Sequence, residues 1–134
     1  MIIDTHAHYD DGQFDTDRDE LLSSMHEGGI GLIVNAGSTL ESWGKIRKLT
    51  DDYPFIYGAI GIHPDEVGTL TEDHISEMEQ LLDLEKIVAV GEIGLDYHYD
   101  LSPRDVQREV FDRQLDLAYA AGKPVQLHIR EAHG

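Results

Sequence analysis

His6 and His8 stand two residues apart in MIIDTHAH, at the end of a short apolar run. The side-chain period of a β-strand is two, so both rings would face one side of the strand, with Ile2 and Asp4 at the same parity. In α/β folds the C-terminal ends of parallel strands build the sites, and two neutral imidazoles there can hold one divalent cation. H-x-H alone fits a partly exposed structural pair as well. The other polar residues must decide. Asn35, His63, Glu92, and His128 with Arg130 close four further apolar runs. Parity puts Val88, Val90 and Glu92 on one face of the fourth run, and Gln126, His128 and Arg130 on one face of the fifth. If these faces line a barrel, the imidazoles and the carboxylate converge on one mouth. Such a nitrogen and oxygen donor set suits Zn, Mn or Mg. The two oxygens of Glu92 would let it bridge two ions, with His6 and His8 on one and His128 on the other. Two ions roughly 3.5–4 Å apart activate water and stabilise the attacking and leaving oxygens of a phosphoryl displacement.

The elements that must position these residues are readable in order. The first strand is followed by a loop, Tyr9 to Asp15, and by a helix over Arg18 to Glu27 with Leu21, Leu22 and Met25 on its apolar face. Asp17 and Glu20 have capping-box spacing, and Gly28 and Gly29 stop the helix. IGLIVNAG, Ile30 to Gly37, reads as a buried parallel strand. Thr39 caps a second helix carrying Leu40, Trp43, Ile46 and Leu49, ended by Tyr53-Pro54. A third strand spans Phe55 to Pro64, and Thr71 opens a helix with Ile75, Met78, Leu81 and Leu82 inward. The fourth strand is Ile87 to Gly94. Ser102 as cap and Pro103 in the first turn begin the longest helix, with Val106, Val110, Leu117, Ala118 and Ala121 as its buried stripe and Gly122 as its stop. Pro124 to Arg130 is the fifth strand. Five strands alternating with four helices predict βαβ units, a parallel sheet and one domain over residues 1–134. No helix follows the fifth strand, so its edge is expected to be open, or covered by a second copy or another partner.

Composition narrows the chemistry further. With 40% hydrophobic residues among 134, a packed core is affordable. The absence of cysteine excludes disulfides, thiolate metal sites and cysteine nucleophiles, and fits a reducing cytoplasm. Neither a signal-peptide pattern nor an 18-residue apolar run is present, so no membrane span is expected. Ten Lys and Arg against 27 Asp and Glu give a net charge of −17. That repels nucleic acid at long range and excludes groove-tracking, sequence-independent binding. A polyanionic substrate would have to be held locally, by cations and a few basic side chains.

Each candidate also has a plain structural use. Glu92 could be a loop or cap carboxylate, His128 a satisfied interior histidine, His63 a loop-orienting residue before Pro64, and Arg130 a partner of Glu131. Tyr97, Tyr99 and Asp100 read equally as a polar loop. His26, His74 and His98 fall in helices or a loop away from the strand ends.

Four motifs in order, DTHAH (Asp4 to His8), GIHP (Gly61 to Pro64), GEIGLDY (Gly91 to Tyr97) and LHIREA (Leu127 to Ala132), resemble those of the TatD family of metal-dependent deoxyribonucleases. The resemblance implies an α/β fold: a partial (βα)8 TIM-type barrel of the metal-dependent hydrolase kind. It implies two divalent metal ions, with His6 and His8 on one, Glu92 bridging and catalytic, and His128 on the second. His63, Arg130 and Tyr97 would lie at the substrate phosphate. The implied activity is hydrolysis of DNA phosphodiesters, 3′ to 5′ on single strands. The family pattern has a further His on a sixth strand and an Asp on an eighth, beyond the five strands read here, so these residues alone are expected to turn over little or not at all. Two other readings stay open: a non-catalytic oligomeric or partner-binding module, and a small-molecule metallohydrolase of the same fold.

Overall fold

The computed structural model describes residues 1–134. Strand and helix alternate throughout: β1 (Ile2–Ala7), α1 (Arg18–Glu27), β2 (Ile30–Ala36), α2 (Leu40–Asp52), β3 (Ile56–Ile60), α3 (Glu72–Leu82), β4 (Ile87–Asp96), α4 (Arg104–Ala121) and β5 (Val125–Arg130). All five strands are parallel and pair in sequence order, β1-β2-β3-β4-β5. Each crossover therefore carries a helix, as parallel neighbours require. The side-chain amide of Gln126 on β5 donates to the carbonyl of Thr5 on β1, so the first and last strands approach across the concave side. Met1, Ile2, Ile3 and Leu127 are exposed at these two strands. No helix is long and apolar enough to cross a membrane.

The main core lies between sheet and helices. Trp43 and Ile46 from α2, Met78, Leu81 and Leu82 from α3, and Val110 and Ala118 from α4 pack on Ile60, Ile87, Val90 and Ile93. The Trp43 indole N–H donates to the Gly61 carbonyl at 3.0 Å, so burial of the ring leaves no polar atom orphaned. A second cluster joins Leu22 of α1 and Leu49 of α2 to Ala7, Ile33 and Ile56. Val34, Ala59 and Ala89 form a smaller third one, with Leu32, Tyr57 and Val88 against it.

Helix entry follows local chemistry, with two departures from the sequence reading. Thr39 with Ser42, and Thr71 with His74, form complete capping boxes. His74 is thereby a cap, its Nδ1 taking the Thr71 N–H at 3.0 Å. Asp17 makes no side-chain cap bond to α1; Arg18 instead ties the entry down by donating to the carbonyls of Tyr9 and Asp11 and to Asp15. At α4 the cap position is Pro103, one residue later than expected, and the Ser102 hydroxyl turns away to donate to the Asp65 carbonyl at 3.2 Å. Gly122 closes α4 in the left-handed conformation, φ 65°, which a glycine adopts without a Cβ clash.

The buried stripe of α4 is Gln107, Val110, Gln114 and Ala118; Ala121 is exposed. Two glutamines take positions that apolar patterning would give to aliphatic residues, because each pairs with backbone in the manner of a strand neighbour. Gln114 takes the Ile62 N–H at 2.7 Å and donates to the Ile62 carbonyl at 3.3 Å. Gln107 takes the Asp96 N–H at 2.9 Å and donates to the carbonyls of Asp96 and Ser102. Both clamps lie next to chemistry-bearing residues. Gln114→Leu would leave both Ile62 backbone groups buried and unpaired, so a loss of about 1–3 kcal/mol per orphaned group is expected. Urea denaturation checks this, and an unchanged midpoint would contradict it.

Strand ends also differ from the expected boundaries. β3 stops at Ile60, and His63 stands in the loop beyond it, not on the strand. β4 continues two residues further, to Asp96. Its register against β5 shifts between Val90 and Ile93, where the Gly91–Glu92 peptide is cis. The extra residue breaks simple alternation. Val90 consequently packs with Ile87 and Ile93 on the helix side, not with Glu92, and the parity expected for Val88, Val90 and Glu92 does not hold. A similar shift between Asp4 and Ala7 in β1 separates the parity of Ile2 and Asp4 from that of His6 and His8.

Candidate metal centre

Glu92 is delivered to the concave side by the shift in β4, with its amide donating to the Gly37 carbonyl at 2.6 Å. Gly37 must be small here: a Cβ would lie 2.9 Å from the Ala59 carbonyl oxygen and 3.1 Å from that of Gly91. The two carboxylate oxygens of Glu92 face different rings. Oε2 is 3.3 Å from His6 Nε2 and 3.4 Å from His8 Nε2, while Oε1 is 3.1 Å from His128 Nδ1. His6 Nε2 and His8 Nε2 are 3.2 Å apart.

These spacings can be tested against a cation. Donors held about 2.0–2.1 Å from one tetrahedral ion lie roughly 3.3–3.4 Å from each other. The three edges of the His6, His8 and Glu92 triangle, 3.2, 3.3 and 3.4 Å, fit that figure. His8 is also prepared for ligation. Its Nδ1 lies 3.1 Å from the Ala36 carbonyl, which can only accept, so the proton sits on Nδ1 and the Nε2 lone pair points at the triangle. His63, Glu92 and His128 form a second group, with all ligand atoms within 4.8 Å of one another. The His63 and His128 rings are 4.2 Å apart, centroid to centroid. Glu92 belongs to both groups. The first triangle thus fits a cation, and the second group shares Glu92 with it through the other carboxylate oxygen.

Electrostatics follow the same contacts. Burial alone would raise the Glu92 carboxyl; the hydrogen bond from His8 and the positive potential of His6, His63 and His8 outweigh it and bring the group to about 2. His8 is raised, chiefly by its hydrogen bond to Glu92 against the opposing effect of burial. His63 is lowered, first by burial and then by His128. In the metal-free chain Glu92 therefore adds stability above its ordinary 4.5, and loses it as pH falls through about 2. The raised His8 adds stability below its ordinary 6.5 and loses it as pH rises through its folded value. Denaturant midpoints of the metal-free chain should show the His8 and Glu92 contribution largest between about pH 4.5 and 6.5. A Glu92→Gln profile parallel to that of the parent chain would contradict this.

Three comparisons with known proteins bear on this geometry. The model of the TatD-related DNase family matches residues 3–134. The chain belongs to the family of TatD-related DNases. Among curated relatives, the uncharacterized metal-dependent hydrolase YabD of Bacillus subtilis (strain 168) is 39% identical over 132 residues, covering 98% of this chain and 52% of YabD. The 3′-5′ ssDNA/RNA exonuclease TatD of Edwardsiella piscicida is 33% identical over 133 residues, covering 98% of this chain and 51% of that protein. The crystal structure of YjjV, a TatD homologue from Escherichia coli K12, superposes with a TM-score of 0.90 at 34% identity, over 98% of this chain and 52% of YjjV. The chain spans about half the length of the relatives it matches. The sheet is accordingly the partial TIM-type barrel that the motifs of this TatD-family chain imply.

Of the residues singled out from sequence, His6, His8, Glu92, His128 and His63 come together. His63 joins the second imidazole group directly. Its Nδ1 takes the Asp65 N–H at 3.2 Å. Arg130, beyond the cluster on β5, stacks on the Tyr99 ring, 4.8 Å from guanidinium carbon to centroid. Tyr97 is held on the α4 side, with the Arg104 guanidinium 4.2 Å from its ring centroid and Arg108 donating to its hydroxyl at 3.4 Å. His26 stacks on Phe55, and His98 pairs with Glu131 at 3.2 Å. Asn35 takes the Tyr9 N–H and donates to buried Asp10 at 2.7 Å, bracing the loop after the His pair.

Sequence reasoning missed Asp96. It is fully buried, and its Oδ2 lies 2.9 Å from His128 Nε2. The available signal was its place in GEIGLDY, at two-residue steps from Glu92 through Gly94 to Asp96.

Proposed function

We propose that this centre binds two divalent cations and serves hydrolysis of phosphodiester bonds in single-stranded DNA from the 3′ end. The observation that carries the reading is the division of Glu92, with one oxygen toward His6 and His8 and the other toward His128. A carboxylate placed this way holds two positive charges close together while contributing one negative charge. Bound there, the cations supply Lewis-acid polarisation of a phosphoryl oxygen and a more acidic water. His6 and His8 fill the first seat and His128 the second, as neutral nitrogen donors that leave the cation charge available to substrate. His63, whose Nδ1 accepts the Asp65 N–H and whose Nε2 therefore carries the proton, stands beside the second seat to donate to a substrate phosphate. Arg130 offers a guanidinium at the end of β5, two residues from His128, for a flanking phosphate. The relative from Edwardsiella piscicida, whose name includes both ssDNA and RNA, supports a single-stranded polynucleotide as substrate and extends it to RNA. Tyr97, packed against Arg104 and Arg108, belongs in this reading at the rim and not beside the cations.

A polypeptide of these 134 residues by itself is proposed to bind cations with little or no turnover, since the set holds no carboxylate in the role of the family's eighth-strand Asp. The test is metal stoichiometry on the purified chain together with a labelled single-stranded oligonucleotide assay in Mg²⁺, Mn²⁺ and Zn²⁺. Two ions per chain without cleavage is the expected result. Cleavage abolished by Glu92→Ala would overturn the proposed inactivity, and absence of metal uptake would overturn the metal centre itself. A full-length relative that cleaves phosphomonoesters but leaves oligonucleotides intact would favour the small-molecule hydrolase reading.

Charge adds one more expectation. At −17, the chain has no net cationic surface to attract a polyanion, whereas two bound cations add about four positive charges at one spot. It should pass through a DNA column in EDTA and be retarded only with divalent metal. Retention in EDTA at moderate salt would contradict this.

A further inference from the structure

Asp96 is the one buried acid of the site that contributes to neither cation seat. Its carboxylate is locked. Oδ1 accepts the N–H groups of His98 and Tyr99 at 3.0 and 2.9 Å, and the residue's own N–H and C=O are both held by Gln107. Oδ2 is thereby aimed at His128 Nε2, 2.9 Å away, on the opposite side of the ring from Glu92, which faces Nδ1 at 3.1 Å. The backbone pairs Asp96 with Arg130 and Gly94 with His128, so both residues are fixed by the same ladder.

We propose that Asp96 is the positioning residue of the second cation seat: it holds the His128 proton on Nε2 and so leaves the Nδ1 lone pair pointing at the cation. This rests on the two-seat reading above. An ionised carboxylate can only accept, so the nitrogen facing it must carry the proton. With Oδ1 already accepting two backbone N–H groups, Oδ2 is the oxygen left to accept from His128. The first seat uses the same logic with a different acceptor, the Ala36 carbonyl behind His8. The two carboxylates flanking His128 thus have separate jobs. Glu92 shares the cation, and Asp96 orients the ring that meets it.

Asp96→Asn is the sharpest test, because it preserves the loop and inverts the proton. The Asn carbonyl oxygen keeps the His98 and Tyr99 amides, which places its NH₂ against Nε2. Nε2 must then accept, and the proton moves to Nδ1, where it blocks the seat. Two readouts are needed, both on the 134-residue chain. Zn²⁺ titration by calorimetry should show the binding step that His128→Ala removes weakened about 10–100-fold in Asp96→Asn, the range for loss of a partner behind a ligand. The step belonging to His6 and His8 should change less than about twofold. Long-range ¹H–¹⁵N NMR at about pH 9, above the ordinary imidazole range, with His128 assigned by its absence in His128→Ala, should place the proton on Nε2 in the Zn²⁺-loaded parent chain.

A proton on Nδ1 of the parent, or second-step affinity within about twofold in Asp96→Asn, would overturn the proposal while leaving the two-seat reading intact. Failure of the parent chain to bind Zn²⁺ would overturn the two-seat reading and, with it, the proposed role. If Asp96→Asn does not fold, the parent spectrum decides by itself.

Discussion

Glu92→Ala is expected to abolish cation binding at both seats, an effect larger than the roughly 100-fold ceiling for removing a partner that stands behind a ligand. The reason is that one side chain serves two groups, His6 with His8 and His63 with His128. Removing any single imidazole leaves the other seat its donors; removing Glu92 leaves neither seat an anion. Calorimetric titration with Zn²⁺ or Mn²⁺ checks this, and either step surviving at parental affinity would contradict it. The same variant has a second readout that needs no metal. The hydrogen bond to Glu92 is the largest of the influences that hold His8 above its ordinary 6.5, while burial pulls the other way. In Glu92→Ala only the weaker pull of Asp10 and of the Ala36 carbonyl remains against burial, so the NMR titration of His8 should move down from its parental value. A His8 titration unchanged by the substitution would show that the contact does not form in solution.

Gly94→Ala should be the most damaging single-methyl change in the molecule. A Cβ built at Gly94 would lie 1.9 Å from the His128 carbonyl oxygen and 2.8 Å from its carbonyl carbon. Both are backbone atoms of the neighbouring strand and have no rotamer by which to yield. Gly94 also sits at φ 150°, which side chains with a Cβ rarely adopt. Backbone strain and overpacking each cost about 1–3 kcal/mol, so a loss of about 3 kcal/mol or more is expected, a drop in Tm of roughly 10 °C for a chain of this size. Gly94 and His128 are register partners, so relief by separating β4 from β5 would displace the second cation seat as well. Thermal unfolding and Zn²⁺ titration of the same variant should therefore fail together. A Tm within about 2 °C of the parent with both binding steps intact would contradict the account.

Some residues announced themselves by type and spacing. His6 and His8 needed only the period of a strand, and Thr39, Thr71 and Gly122 needed only the local chemistry of helix ends. Others were hidden by rules that work on average. The stripe expected on α4 left out Gln107 and Gln114, because amides are costly to bury without partners, yet each finds two or three backbone partners and both are fully buried. Val90 was placed beside Glu92 by alternation, and one extra residue in β4 put it on the other face.

The sequence by itself determined the alternation of five strands with four helices, the donor types His6, His8, Glu92 and His128 at strand ends, and, through four ordered motifs, the family. These depend on local periodicity and on side-chain chemistry, which a linear chain carries in full. Only the tertiary structure decided that His63 leaves its strand to join His128, that Glu92 turns one oxygen to each imidazole group, and that Asp96 stands behind His128. Those facts depend on register shifts between strands and on the curl that brings β5 toward β1. They are set by packing between residues 30 to more than 100 positions apart, and no local pattern in the chain encodes such distances.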